Sequence, residues 1–294
     1  MKQFIKRAIS SLPFVKQKFD LIEQMFVPPG HFYSPYPEKG AIEQAIRVSH
    51  TKPSILGIDF RYDQQLALLK SSQSLYDSAP WENDATPGNG FQYENEMFGH
   101  SDALFFHFIL GHYKPKKIIE VGSGWSTALA LDSFKFLNHS CDITCIEPYP
   151  ERLLRTTGGK RITLIQDIVQ NVPLEVICDL EEADILFIDS SHVSKLGSDV
   201  NHLFFEVLPR LSPGVIVHVH DIHQSFEYPV RWAEENRAWT EAYLLRALLM
   251  DSSRYEIILA NDAVIEHHHD WFQEYMPLCL KNPGGSLWFK VLEK

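Results

Sequence analysis

Five short apolar runs recur between residues 116 and 220: KKIIEV, DITCIE, RITLIQ, ADILFID and GVIVHVH. Each is rich in β-branched residues, and four of the five end on a polar or acidic side chain. Segments of helical spacing separate them, such as STALALDSFKFL after the first, and SDALFFHFILGHY precedes the set. Strands this short and this continuously apolar need cover on both faces, which a parallel sheet flanked by helices supplies. The end of the chain differs. YEIILAN is a further strand, and GGSLWFKVLEK reads as a closing strand entered through a Gly-Gly turn. The expected architecture is a doubly wound α/β sandwich.

This pattern occupies residues 93–294, leaving residues 1–92 as an N-terminal extension and cap. At 294 residues and 45% hydrophobic content, the chain has room for one large domain plus such an extension. Residues 1–26 place Phe4, Ile5, Ala8, Ile9 and Leu12 at helical spacing with basic residues between them, interrupted at Pro13. A basic amphipathic helix of this kind lies on a membrane surface or a partner, or packs on its own domain. Residues 27–92 are rich in Pro, Gly, Ser and aromatics, with helical pieces near 40–48 and 62–76, and read as an irregular cap. Tyr33, Tyr36, Trp81 and Phe91 are its candidates for closing over a site.

A formal net charge of −11 argues against a nucleic-acid partner, which would need a basic face. The four cysteines lack paired metal-site spacing and fit a reducing compartment. The N-terminus breaks its apolar residues with charges, unlike a secretory signal. No run approaches the roughly 18 apolar residues of a membrane span. A cytoplasmic chain is expected, its partners a small-molecule acceptor, a second copy of itself and, through residues 1–26, a membrane surface touched peripherally.

In doubly wound sheets ligands gather at the carboxyl ends of the strands. The first strand ends in Glu120-Val-Gly122-Ser123-Gly124-Trp125. The glycines allow close backbone approach, and the next helix offers free N–H groups. A dinucleotide fingerprint would put a third glycine where Thr127 stands. A Glu120 carboxylate would repel a pyrophosphate but favour a cationic amino acid and sulfonium, so the electrostatics prefer S-adenosylmethionine. Glu147, at the end of the second strand, suits a ribose diol in either cofactor class, which leaves an NAD(P)-dependent oxidoreductase as an alternative. Gln166 and Asp167 end the third strand and suit an adenine edge.

In this order EVGSG, CIEPYP, LIQDIV, ILFIDSSH, LSPGVIVHVHDI and GGSLWFK resemble the class I S-adenosylmethionine-dependent methyltransferases over roughly residues 93–294. The resemblance implies a Rossmann-like seven-stranded sheet of order 3-2-1-4-5-7-6 with the last strand antiparallel. It also implies a cofactor pocket lined by Glu120, Gly122, Ser123, Gly124, Trp125, Glu147, Gln166, Asp167 and Asp189, with Tyr93 near the methionine end.

That topology makes the fourth and fifth strands neighbours, so Asp189-Ser-Ser-His192 meets His220-Asp221-Ile-His223. The catechol O-methyltransferase-like enzymes are the nearest comparison. Aligned on their pattern, Asp189, His220 and Asp221 take the metal positions and His192 that of the base. An imidazole at His220 shifts preference from Mg²⁺ toward Mn²⁺, Fe²⁺ or Zn²⁺, and equally permits a metal-free site with His192 or His220 as base. Strand alternation puts His218 with His220 on one face, one pleat deeper, as a hydrogen-bonded core residue. His223 opens the loop toward an acceptor. His267–His269 fall where an acceptor lid is expected, and Arg231, Trp232, Arg237, Trp239 and Tyr243 form a basic-aromatic cluster after the fifth strand.

The function these readings imply is O-methylation of a small hydroxylated acceptor (natural product, sugar or phenol), with Asp189, His192 and His220 as catalytic residues. The alternatives are metal-dependent hydroxylation on the same fold, the oxidoreductase, and a binding scaffold without turnover.

Overall fold

The computed structural model describes residues 25–38, 40–44, 55–157 and 162–293. The expected amphipathic helix over 1–26 lies outside them except for its last two residues. The described residues fall into two compact units. One comprises residues up to 44 together with 229–238, and the other 55–228 with 239–293.

The larger unit holds a seven-stranded sheet: β1 Lys117–Val121, β2 Asp142–Ile146, β3 Ile162–Ile165, β4 Ile185–Ile188, β5 Ile216–Val219, β6 Tyr255–Ala260 and β7 Leu287–Val291. Its order is β3-β2-β1-β4-β5-β7-β6. The first five strands are parallel, and β7 runs antiparallel to both β5 and β6. The expected order and the antiparallel closing strand are both present.

The sheet separates two apolar cores, as its nearly continuous apolar strands require. Val217 and Val219 enter one core. Ile216, Phe187 and Trp288 enter the other. The helix His100–Tyr113 is buried at every position from His100 to Leu110. That explains why FFHFIL carries no polar face.

Register levels the rim on which the site stands. Val121 pairs with Ile188, and Ile188 with Val219. Backbone pairing then continues one residue further: Asp189 N–H donates to the Val121 carbonyl, and His220 N–H to that of Ile188, both at 2.9 Å.

Residues 55–92 of the expected cap belong to the same compact unit as the sheet, tied to it by polar anchors. Gln65, on the helix Tyr62–Ser71, is buried; its amide donates to the Phe60 carbonyl and its oxygen accepts from Ala260 N–H at 2.8 Å. Trp81 and Phe91 are buried among core aromatics rather than poised as lids. Among the described residues no helix is long and apolar enough to cross a membrane.

Candidate functional site

The turn after β1 is built for close backbone approach. Gly122 has φ +80°, and a Cβ there would lie 1.8 Å from the Asp189 carbonyl oxygen. The Glu120 side chain turns inward and is buried. Both its oxygens accept hydroxyl hydrogen bonds, from Ser126 at 2.5 Å and Thr127 at 2.6 Å. Burial pushes its carboxyl up to about 7, against the lowering effect of the Ser126, Thr127 and Cys145 hydrogen bonds. Its negative charge therefore faces the start of the helix Trp125–Leu137, where free N–H groups also favour it. The sequence reading aimed this carboxylate at a cofactor, overlooking the two hydroxyls one turn into the helix.

Glu147 is fixed and half-buried at the rim. Its two oxygens accept from Ser123 N–H at 3.2 Å and Tyr149 N–H at 2.8 Å, leaving lone pairs for a ligand. The Ser123 hydroxyl is buried and has no hydrogen-bond partner. Gln166 and Asp167 are exposed at the end of β3, and Asp167 bonds Ile168 N–H and the Asn171 amide. Trp125 is half-buried, edge-on to Phe91. Tyr93 is buried, stacks flat on His100 at 4.9 Å, and keeps its hydroxyl unbonded.

At the ends of β4 and β5, Asp189, His192 and Asp221 converge. The His192 Nε2 lies 3.4 Å from Asp189 Oδ1 and 3.5 Å from Asp221 Oδ2. One ligand atom from each of the three lies within 4.8 Å of the others, close enough to share a cation. His192 thus occupies the place that sequence alignment assigned to His220. His220 stands behind, buried against Phe98 at 5.2 Å, its Nε2 3.8 Å from Asp221. Both His192 (φ 59°) and Asp221 (φ 56°) hold left-handed backbone, a cost of roughly 1–2 kcal/mol each that surrounding structure must offset.

Burial and ion pairing oppose each other across this cluster. Burial works to raise the Asp189 carboxyl, but the His220 and His192 imidazoles outweigh it and hold it far below the carboxylate range. Burial likewise disfavours the His192 imidazolium, yet its hydrogen bonds to Asp189 and Glu241 raise it well above its ordinary value. For His220, burial is outweighed by Asp189, Asp221 and Asp102.

Glu241 is the residue the sequence reading missed. Its side chain is fully buried, and Oε2 lies 2.9 Å from His192 Nδ1. It opens the helix Glu241–Leu249 on the stripe it shares with buried Leu245 and Leu249. An acidic residue at the head of an apolar i, i+4, i+8 row was the available signal.

Other expected residues separate from the cluster. His218 is a core histidine: it stacks on Phe187 at 3.8 Å, and its Nε2 bonds Ser286 Oγ at 2.9 Å. His223 pairs with Asp262, Nδ1 to Oδ2 at 3.3 Å. His267–His269 form no lid loop, because the segment folds as helices Asn261–His267 and His269–Tyr275. The His267 ring lies flat on Tyr62 at 4.0 Å. Trp239 packs on the His192 ring at 4.4 Å, while Arg231, Trp232 and Arg237 sit in the other unit and pair locally with Glu235 or one another.

Residues 119–222 match the model of a methyltransferase domain family. An uncharacterized protein of Archaeoglobus fulgidus is 36% identical over 165 residues, spanning 53% of this chain and 74% of its own. Among solved structures, the Podospora anserina methyltransferase PaMTH1 bound to SAH aligns with a TM-score of 0.42 at 16% identity, over 88% of this chain and 98% of its own. The plantazolicin methyltransferase BpumL, complexed with a monoazolic desmethylPZN analog and SAH, aligns at 0.42 and 13% identity, over 87% and 100%. The chain belongs to one family with the Archaeoglobus protein, and its segment 119–222 matches the model of a methyltransferase domain.

Proposed function

We propose that the protein is an S-adenosylmethionine-dependent methyltransferase that O-methylates a small hydroxylated acceptor at the Asp189–His192–Asp221 cluster. The observation that carries this reading is the convergence of two carboxylates on one imidazole nitrogen at the carboxyl rim of a methyltransferase domain. S-adenosylmethionine supplies a methyl group on a sulfonium, ready for in-line displacement by oxygen. The buried, unbonded Ser123 hydroxyl and the fixed Glu147 carboxylate fit such a nucleoside. Asp189, level with Gly122 across the rim, carries negative charge toward the same side.

His192 in its neutral form takes the acceptor's hydroxyl proton on Nε2 as the oxygen–methyl bond forms and the carbon–sulfur bond breaks. The pairing that raises its pKa makes it a strong base whose free fraction grows with pH. Asp189 and Asp221 then face the resulting imidazolium and stabilise it.

The same geometry supports a second reading, in which Asp189, His192 and Asp221 hold a divalent cation. Two carboxylates and an imidazole suit Mn²⁺, Fe²⁺ or Zn²⁺ better than Mg²⁺. Such an ion supplies Lewis-acid polarisation of a hydroxyl. His192 Nε2 would then be a ligand and not the base.

Calorimetry with S-adenosylmethionine and with NAD tests the cofactor, and NAD binding alone would overturn the proposal. Methyl transfer from labelled cofactor to a panel of phenols, sugars and hydroxylated natural products tests the reaction. Loss of turnover with EDTA and recovery with Mn²⁺ favours the metal reading; turnover unaffected by EDTA favours His192 as base.

A further inference from the structure

We propose that Glu241 is the positioning residue of the site: it fixes the proton of His192 on Nδ1, so that Nε2 presents a lone pair between Asp189 and Asp221. The inference rests on the role given to His192 under the proposed function, and it holds whether Nε2 takes a proton or a cation.

The first argument is the hold on His192. Its backbone is left-handed at φ 59°, which an isolated residue would leave. Its carbonyl accepts from Thr240 N–H at 2.9 Å and Glu241 N–H at 3.2 Å. Ser194 N–H donates to the Thr240 hydroxyl at 2.8 Å, and Trp239 covers the imidazole face. Residues 239–241 therefore grip the backbone, the ring face and, through Glu241, the far nitrogen of this one residue.

The second argument is the choice of proton. A free imidazole carries its proton on either nitrogen, and the hydrogen bond at one end decides which. Left to Asp189 and Asp221, the proton of a neutral His192 would settle on Nε2, where two carboxylate oxygens stand within 3.5 Å. Nε2 would then be useless as base or ligand. A carboxylate accepts hydrogen bonds and cannot donate one. Glu241 Oε2, at 2.9 Å and fully buried, competes for the proton from the Nδ1 side with no water to replace it. Its other oxygen, Oε1, is buried and unbonded, so Nδ1 is the hydrogen-bonding partner the side chain has been given.

Glu241→Gln in the full chain separates positioning from mere packing. The amide keeps the shape of the side chain but can donate to Nδ1, which lets the proton move to Nε2 between the two aspartates. In ¹⁵N-labelled protein, at a pH high enough for a neutral ring, the wild type should show His192 protonated on Nδ1. The Gln variant should show it on Nε2, and His192→Ala assigns the resonance. Methyl transfer by the Gln variant should fall about 10²- to 10⁴-fold in kcat, the loss expected of a wrong tautomer, with KM for S-adenosylmethionine within about threefold. An Nδ1–H ring in the Gln variant would overturn the inference, as would an unchanged kcat. If Glu241→Gln does not fold, the wild-type tautomer alone decides it, because Nε2–H in the native chain contradicts the assignment. Should neither wild type nor any variant transfer a methyl group, the proposed function fails, while the tautomer measurement still settles the part played by Glu241.

Discussion

Gly122 and Asp189 meet backbone to backbone: a Cβ on Gly122 would stand 1.8 Å from the Asp189 carbonyl oxygen, and Gly122 itself sits at φ +80°. The turn after β1 is thus braced on the residue that follows β4. Gly122→Ala must either move the end of β4 or break the turn. We expect it to cost more than about 3 kcal/mol in urea unfolding, beyond the roughly 1 kcal/mol of the backbone conformation alone. Where the chain survives, Asp189 should shift and cofactor affinity should fall together. Gly124→Ala strains its own backbone, at φ +158°, but its Cβ meets only the flexible Arg152 side chain, at 3.0 Å, so it should be milder in stability than Gly122→Ala.

Glu120 makes stability depend on pH in a definite direction. Its carboxyl stands at about 7 in the folded protein because of burial, against an ordinary value of 4.5. Between those values the folded chain keeps a proton that the unfolded chain has lost. This contribution is therefore complete below pH 4.5 and disappears as pH rises through 7. Across that window it is on the order of 3 kcal/mol. Urea unfolding of Glu120→Gln should lack this fall, so the difference between wild type and variant should change with pH from 5 to 7.5. Parallel curves for the two proteins would show that Glu120 is ionised at no such cost.

The sheet was legible because its strands are short, β-branched and punctuated by acidic or glycine residues, a pattern that alternating helices and a parallel sheet explain. Asp189, His192 and Asp221 were legible as neighbours because strand order puts them there. Their roles were not. Which imidazole nitrogen reaches which carboxylate depends on the left-handed turns at His192 and Asp221, and neither residue is a glycine that would announce one. Glu241 lies 49 residues beyond His192 and enters through a helix whose docking no local pattern specifies. Within the expected cap of residues 27–92, the ties of residues 62–92 to the sheet unit were not legible, because they are single polar groups, Gln65 and Asp132, inside unremarkable helices.

Asp189→Asn tests the electrostatics of the cluster. Asp189, Asp221 and Glu241 crowd around His192, and Asp189 and His192 each stabilise the other's charged form. The substitution removes a carboxylate 3.4 Å from Nε2 while keeping its volume. We expect kcat for methyl transfer to fall at least about 10²-fold. The unfolding temperature should fall as well, because the imidazoles that hold the Asp189 carboxyl low stabilise its charged form in the folded chain. A lowered unfolding temperature with intact turnover would make Asp189 a structural ion-pair partner only.

Asp132 governs the segment that joins the early helices to the helix His100–Tyr113. Its Oδ2 accepts three hydrogen bonds: from Trp81 Nε1 at 3.2 Å, Gly90 N–H at 2.8 Å and Phe91 N–H at 2.9 Å. Tyr93 N–H and Glu94 N–H close the same segment on the carbonyls of Glu82 and Asn83. Trp81, Phe91 and Tyr93 are all buried, and the one carboxylate oxygen holds two of them, Trp81 and Phe91, directly. Asp132→Ala leaves those donors without an acceptor, and a buried unsatisfied group costs about 1–3 kcal/mol. A loss of about 3 kcal/mol or more follows, concentrated in residues 80–94. Asp132→Asn keeps an oxygen in place and should lose less than half as much. Hydrogen exchange reads the difference: amides of Phe91 and Tyr93 should lose protection in the Ala variant while those of β1 and β4 keep theirs. Equal loss along the whole chain would mean that Asp132 supports the global fold and not this segment.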